Sequence, residues 1–382
     1  MMQRQLQLLL LLASLSLVPQ PHAAAAFTPL TPEEQVVKDT LTALVRQEDE
    51  AILSGDDRRL AAVFLPGAPS RDAREEAKER QSFLRAWVDA RGLQVTSVAV
   101  SLRTPHITFR TPDRVQVFAV VSEAYTYRHN DDNVVHRFGL GVRHDYFLVR
   151  EGGRWYIRAD YFTDPLDQDT RIPQPATPDV GAAAIGSTEA KALDASGQGA
   201  AAYADRYCGA APGCGNHGLY NSHYNNYNGD GGDCTNFISQ ALRAGGLRES
   251  GSWSYDRRRG EGSRAWSNAE GLRDYLDGSG RAEIFARGPF VDVTRPSQRF
   301  PQGAAHALEV GDLITYIERG KAVHTGMVVA FDDRGVALVD THTSDRFHVP
   351  WDLGWDRTTR YLFWHVHYPQ PKPPAAPAAR SS

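Results

Sequence analysis

Cysteine is scarce in this 382-residue chain: Cys208, Cys214 and Cys234 are all it has. That rules out a disulfide-built scaffold, and no paired C-x-x-C or H-E-x-x-H motif offers a zinc site. No apolar run of the length a membrane span needs occurs after the N-terminal segment. Neither charge sign is in excess, with 42 Lys and Arg against 46 Asp and Glu and a net charge of −4. Such a chain has no basic field for nucleic acid, and no nucleic-acid partner, metal or cofactor is expected.

What is present begins with a leader. A short basic start at Arg4 precedes a leucine-rich stretch from Leu6 to Val18, and small residues follow at Ala23 to Ala26. This is the layout of a secretory signal peptide over residues 1–26, with cleavage after Ala24 or Ala26. A secreted or extracellular protein is the expectation, with cell-wall association open. In that compartment an odd cysteine count leaves one thiol over. Cys208 and Cys214 flank a short Gly/Ala/Pro loop and are placed to pair, so Cys234 is the free thiol.

The length predicts two domains. Residues 32–165 read as helices followed by a curved antiparallel sheet. An apolar stripe of Val37, Leu41, Leu44 and Val45 marks the first helix, which Thr31-Pro32-Glu33-Glu34 opens. Further helices fit 58–65 and 70–90, and strands fit 93–102, 106–110, 115–127, 136–150 and 154–161. In element order this half resembles the nuclear-transport-factor-2-like fold and is read as an accessory module. Its histidines, His106, His129, His136 and His144, are scattered and read as structural or surface residues. A Pro/Ala/Gly-rich linker covers 166–198. A second α+β domain covers 199–368, and a Pro/Ala tail covers 369–382. A monomer is expected.

The chemistry gathers on Gly231-Gly232-Asp233-Cys234-Thr235-Asn236-Phe237-Ile238. A glycine turn runs into a segment of helical period, which puts Cys234 at a helix N-terminus, where free N–H groups favour a thiolate. A thiol nucleophile needs a base. His324 opens the apolar strand His324-Thr325-Gly326-Met327-Val328-Val329. The following strand ends in Asp340-Thr341-His342, so a hairpin brings Asp340 or His342 to orient the His324 ring. Asp233 reads as the helix cap, and Thr235, Asn236 and Gln240 as partners of loop backbone groups.

These motifs, with Gly311-Asp312-Leu313-Ile314 between them, resemble the putative amidase domain family of secreted bacterial proteins over roughly 197–368. That family is related to the NlpC-like and CHAP-like papain-fold hydrolases. The resemblance implies Cys234 as nucleophile, His324 as base and His342, or else Asp340, as the third polar residue. It also implies an oxyanion tyrosine, matched by Tyr224 in Asn221-Ser222-His223-Tyr224, with Ser222 where the family has proline; Tyr220 and Tyr227 are alternatives. The implied activity is hydrolysis of an amide or peptide C–N bond through a thioester, on a peptide or peptidoglycan-like substrate. A cysteine peptidase or transpeptidase, and an inactive wall-binding module, are the rival readings.

The Cys208–Cys214 pairing has a direct test. Cys208→Ser is expected to lower stability by at most about 3 kcal/mol, because the closed loop is small, and to leave activity largely intact. Thermal melting with and without reductant measures this; an unchanged midpoint counts against the bridge.

Overall fold

The computed structural model describes residues 29–162, 195–355 and 357–369. The expected leader, most of the expected linker and the tail beyond 369 lie outside the described residues. The protein is α+β. Helices α1 (Pro32–Ser54), α2 (Asp57–Ala61) and α3 (Arg71–Arg91) precede strands β1 (Leu93–Thr111), β2 (Arg114–His129), β3 (His136–Glu151) and β4 (Arg154–Phe162). The opening of α1 is as the sequence reads. Thr31 accepts the N–H of Glu34 while the Glu34 side chain accepts the N–H of Thr31, which satisfies two end donors. The two strands expected at 93–102 and 106–110 are one, β1, with a register shift between Arg103 and His106. A bulge there absorbs an extra residue without ending the pairing.

The second half comprises α4 (Ala195–Tyr207), α5 (Cys234–Ala244), a short hairpin of β5 (Tyr255–Asp256) and β6 (Glu261–Gly262), α6 (Arg264–Ser267), α7 (Ala269–Ser279), β7 (Ala282–Pro289) and α8 (Phe290–Thr294). It continues with β8 (Leu313–Glu318), β9 (Lys321–Phe331), β10 (Ala337–Thr341), β11 (Asp345–Pro350) and β12 (Arg360–Val366). Residues 195–198, expected as linker, are the first turn of α4. Strands β7 and β11 were not expected.

The two halves share one sheet of ten strands, in the order β1-β2-β3-β11-β10-β9-β8-β12-β7 with β4 also on β3. Strand β3 is used twice along its length. Its first part pairs with β11, Gly139 to Gly141 against Phe347 to Asp345, and its second part with β4 from His144 onward. Each half keeps its own core. Val37, Leu41, Trp87, Val117 and Tyr146 belong to the first, and Phe237, Ile238, Met327 and Trp364 to the second.

The seam between the halves is closely packed. The Cys208–Cys214 bridge forms, and the loop it closes lies against β3. A Cβ on Gly139 would come within 2.2 Å of the Pro212 carbonyl oxygen, and one on Gly141 within 2.7 Å of the Ala210 carbonyl carbon. Only glycine permits that approach. Ser122 donates to the Ala210 carbonyl at 2.7 Å. Val349 and Leu353, from the second half, complete the first core. Buried Asp352 accepts from Trp87 Nε1 at 3.1 Å and from Arg91 Nε at 2.6 Å. Among the described residues no helix is long and apolar enough to cross a membrane.

Asp352→Ala leaves the Trp87 N–H and the Arg91 guanidinium without their acceptor at the seam. A loss of about 2–3 kcal/mol is expected, read by urea denaturation. A change within 0.5 kcal/mol, the ordinary range for a surface substitution (about ±0.5 kcal/mol), would show that Asp352 does not fasten the halves.

Candidate active site at the start of the Cys234 helix

Helix α5 is enclosed on every side from Cys234 to Leu242. Phe237, Ile238, Ala241 and Leu242 supply the apolar face. Its buried polar residues are individually paired. Asn236 donates to the Asn225 carbonyl and accepts from Trp266 Nε1. Ser239 accepts from Trp253 Nε1, and Gln240 accepts from the Tyr203 hydroxyl. The turn before it needs the left-handed backbone of Gly231 and Gly232, at φ 101° and 124°. That turn delivers Cys234 at the first helical position as a buried free thiol, 8% exposed.

The surroundings of the sulfur pull in opposite directions. Burial raises the thiol pKa. The Thr235 hydroxyl, 3.7 Å away, and the backbone N–H groups of Thr325 and Thr235 lower it, and the Asp233 charge adds to the rise. The net direction is upward, so the resting sulfur is a thiol.

Asp233 is not a cap: its side chain makes no capping bond to α5. Its Oδ2 accepts Nδ1–H of His342 at 2.6 Å, and its Oδ1 accepts the Tyr227 N–H and Asn236 Nδ2–H, both at 2.9 Å. The second nitrogen of His342 donates to the Tyr207 carbonyl at 2.7 Å. Both partners are hydrogen-bond acceptors. The ring lies between Tyr220 and Phe237, with centroids 3.9 and 4.0 Å away. The Tyr220 hydroxyl donates to Asp345 and accepts from Arg143 of β3 and from Asn228. Arg143 also donates to the Thr343 carbonyl. The first half therefore reaches the surroundings of this site.

His324 is not brought to Cys234, contrary to its expected role as base. The reason is strand alternation. On β9, Thr325 and Met327 face α5; Thr325 meets Thr315, which accepts from Trp364 Nε1. His324 points to the other face, beside Tyr316 and Trp355 at 5.8 and 5.5 Å. It is buried there, and its Nε2 has no hydrogen-bond partner among the described residues. Burial, aided by the Arg346 charge, lowers its pKa to about 3, so the ring is neutral. The expected hairpin of β9 and β10 does form, with Met327 opposite Asp340. Its register brings the end of β10, and so His342, toward Thr325.

Asp340 does not orient His324 either. It is fully buried on the α4 side of the sheet, and one oxygen accepts the His348 N–H at 2.8 Å. Tyr224 has another partner: its hydroxyl accepts from Arg243 at 2.7 Å. Arg243 is nine residues along α5 from Cys234, about 13 Å of helix rise. Tyr224 packs on Tyr255 and Trp266. Of the predicted residues, Cys234 and His342 share one face. The residues the sequence reading missed are Asp233, as partner of His342, and the Thr325 N–H. No local signal marks the first, because its partner lies 109 positions away.

Of the histidines of the first half, His106 is exposed and the other three make structural pairs. His144 donates to Asp160 at 2.9 Å, His129 to Asp332 at 3.0 Å and His136 to Asp333 at 2.6 Å. Nearby, Glu48, Asp49 and Glu123 are buried around Arg80, and Glu48 is pushed up to about 8 by burial and then by Asp160.

A helix-borne thiol, two backbone donors and a carboxylate-held imidazole thus lie on one sheet face. Residues 194–364 match the family described as "Putative amidase domain". The protein YhbB of Bacillus subtilis (strain 168), described as uncharacterized, is 31% identical over 147 residues, 35% of this chain and 42% of that protein. The chain thus spans less than half the length of that relative. Two solved structures align with this chain at a TM-score of 0.24. A hexachlorocyclohexane dehydrochlorinase (LinA) Type2 is 12% identical over 34% of this chain and 90% of its own. A "Putative Scytalone Dehydratase" from Novosphingobium aromaticivorans DSM 12444 is 16% identical over 35% of this chain and 89% of its own. Alignments at that score carry no argument here.

The pKa of His324 fixes a pH dependence. Its folded value, about 3, lies below the unfolded value of about 6.5. Between the two, the unfolded chain binds a proton that the folded chain refuses. Stability is therefore full above about pH 6.5 and falls with pH, on the order of 1 kcal/mol per unit, towards pH 3. His324→Leu should flatten this slope in urea melts at pH 4.5 and 7; an unchanged slope would show that His324 is not its source.

Proposed function

We propose that residues 194–364 form a papain-like cysteine amidohydrolase with Cys234 as nucleophile and His342, rather than His324, as the proton carrier. The observation that supports this is the Asp233–His342 hydrogen bond beside the first residue of α5. The backbone N–H groups of Thr325 and Thr235 favour negative charge at the sulfur and are the candidate donors to an oxyanion. In this reading Nε2 of His342 lets go of the Tyr207 carbonyl and takes the Cys234 proton before attack. The thiolate adds to an amide carbonyl carbon, and the C–N bond breaks. The leaving amine takes a proton from His342, held in orientation by Asp233. Water then adds to the thioester as His342 takes one of its protons, and that proton passes to the Cys234 sulfur as the acid leaves.

Peptides and peptidoglycan stems are the proposed substrates. The leader-like residues 1–26 and the Cys208–Cys214 bridge support action outside the cytoplasm. Arg143, reaching from β3, gives the first half a positioning role. A second reading, a binding module without turnover, is favoured by the burial and raised pKa of the thiol.

One experiment separates the two. The full chain is incubated with purified peptidoglycan and a peptide library, and new amines are read by mass spectrometry. The expected outcome is amine release that Cys234→Ala abolishes without unfolding and that His342→Asn lowers at least about 100-fold. In parallel, His324→Leu should leave iodoacetamide labelling of Cys234 near neutral pH within about twofold, whereas His342→Asn changes it. Amine release that survives Cys234→Ala would sink the assignment. No release, with labelling no faster than a free thiol, would favour the binding module.

A further inference from the structure

Away from the Cys234 thiol, a second group of side chains meets where α4, β10 and β11 touch. Asp205 lies in the last turns of α4, Asp340 on β10 and His348 on β11. One ligand-capable atom of each lies within 4.8 Å of the others. His348 Nε2 and Asp205 Oδ1 are 2.9 Å apart. Asp340 has no solvent exposure, and its Oδ2 has no hydrogen-bond partner among the described residues. A fully buried carboxylate that faces a second one at the surface calls for a positive charge between them or a shared proton. His348 takes a left-handed backbone, φ 53°, at the register shift of the β10–β11 pair.

We propose that Asp205, Asp340 and His348 bind one divalent transition-metal ion of the zinc class, which fastens α4 to the β10–β11 hairpin. Two carboxylate oxygens and one imidazole nitrogen suit such an ion better than an all-oxygen cation. Tetrahedral bonds of about 2.0–2.2 Å set ligand atoms roughly 3.4 Å apart, so the His348–Asp205 pair at 2.9 Å opens slightly and the more widely spaced atoms close modestly. Water completes the shell through the Asp205 side, whose side chain is 41% exposed. The ion is structural in this proposal. It braces the end of α4, whose Tyr207 carbonyl receives His342. It does not depend on turnover.

The test uses the full chain carrying Cys234→Ala, so that the thiol does not compete for metal. After chelator treatment, Zn2+ is titrated by calorimetry and melting is followed with and without Zn2+. His129, His136 and Asp333 form another group with metal-ligand spacing, so His136→Gln serves as control. The expected result is an equivalent of Zn2+ whose affinity falls at least about tenfold in Asp340→Asn and in His348→Asn and stays in His136→Gln. Asparagine suits the left-handed backbone at 348. The melting midpoint should rise with Zn2+ in the parent and not in Asp340→Asn. Should Asp340→Asn fail to fold, Asp205→Asn carries the same expectation. No saturable Zn2+ binding in the parent would mean that a shared proton alone joins the carboxylates, and the proposal falls. Binding lost in His136→Gln and kept in Asp340→Asn would place the ion at the other group and equally overturn it.

Discussion

The Asp233–His342 hydrogen bond is the contact on which the second half turns. It ties the glycine turn before α5 to the end of β10, and the other nitrogen of the same ring ties both to the last residue of α4. Three elements distant in sequence are thus held at one imidazole. Each partner would be a buried unsatisfied group without it. The two flanking rings, Tyr220 and Phe237, leave the imidazole no room to turn. The arrangement fixes Cys234 indirectly, because Asp233 is its immediate neighbour and its backbone N–H is also held, by the Thr343 hydroxyl.

That contact is in turn framed by the first half. Strand β11 runs beside β3, and Gly139 and Gly141 admit the bridged loop 208–214 against the sheet. From the same strand Arg143 reaches Tyr220 and the Thr343 carbonyl. An accessory module on a linker would leave the site intact when removed. A half that contributes a strand neighbour, a guanidinium and two close-approach glycines to the surroundings of His342 does not fit that description. The two cores remain distinct, so the halves are separate in packing and joined in hydrogen bonding.

Much of this was legible in the sequence where local signals act alone. The Thr31–Glu34 box, the stripe of α1, the pairing of Cys208 with Cys214 and the position of Cys234 at a helix start all depend on residues close together. The failures come where the answer depends on parity or on a distant neighbour. Strand β11, six residues ending in proline, carries no clean alternation because His348 sits at a register shift with a left-handed backbone. Asp233 looked like a cap because aspartate before a helix usually is one. A histidine 109 positions away claims its carboxylate instead, and nothing local announces that.

His324 shows the limit most sharply. Its motif, its place at the mouth of an apolar strand and its downstream hairpin are all present, yet a strand's period of two decides which face it serves. With Met327 packed in the α5 core, His324, three residues earlier, belongs to the other face. There it is surrounded by Tyr316 and Trp355 and kept neutral by burial. The same parity carries Asp340, opposite Met327, to the α4 side, and there it meets Asp205 and His348. One register therefore accounts for three placements. It removes His324 from the thiol, delivers His342 toward Thr325, and turns Asp340 from an orienting residue into part of a separate charged cluster. A shift of β9 by one residue would bring His324 onto the α5 face in place of Thr325. It would also drive Met327 out of the α5 core, at a cost of about 2–5 kcal/mol for a buried side chain of that size. Core packing, more than the chemistry of the motif, thus sets which histidine shares a face with Cys234.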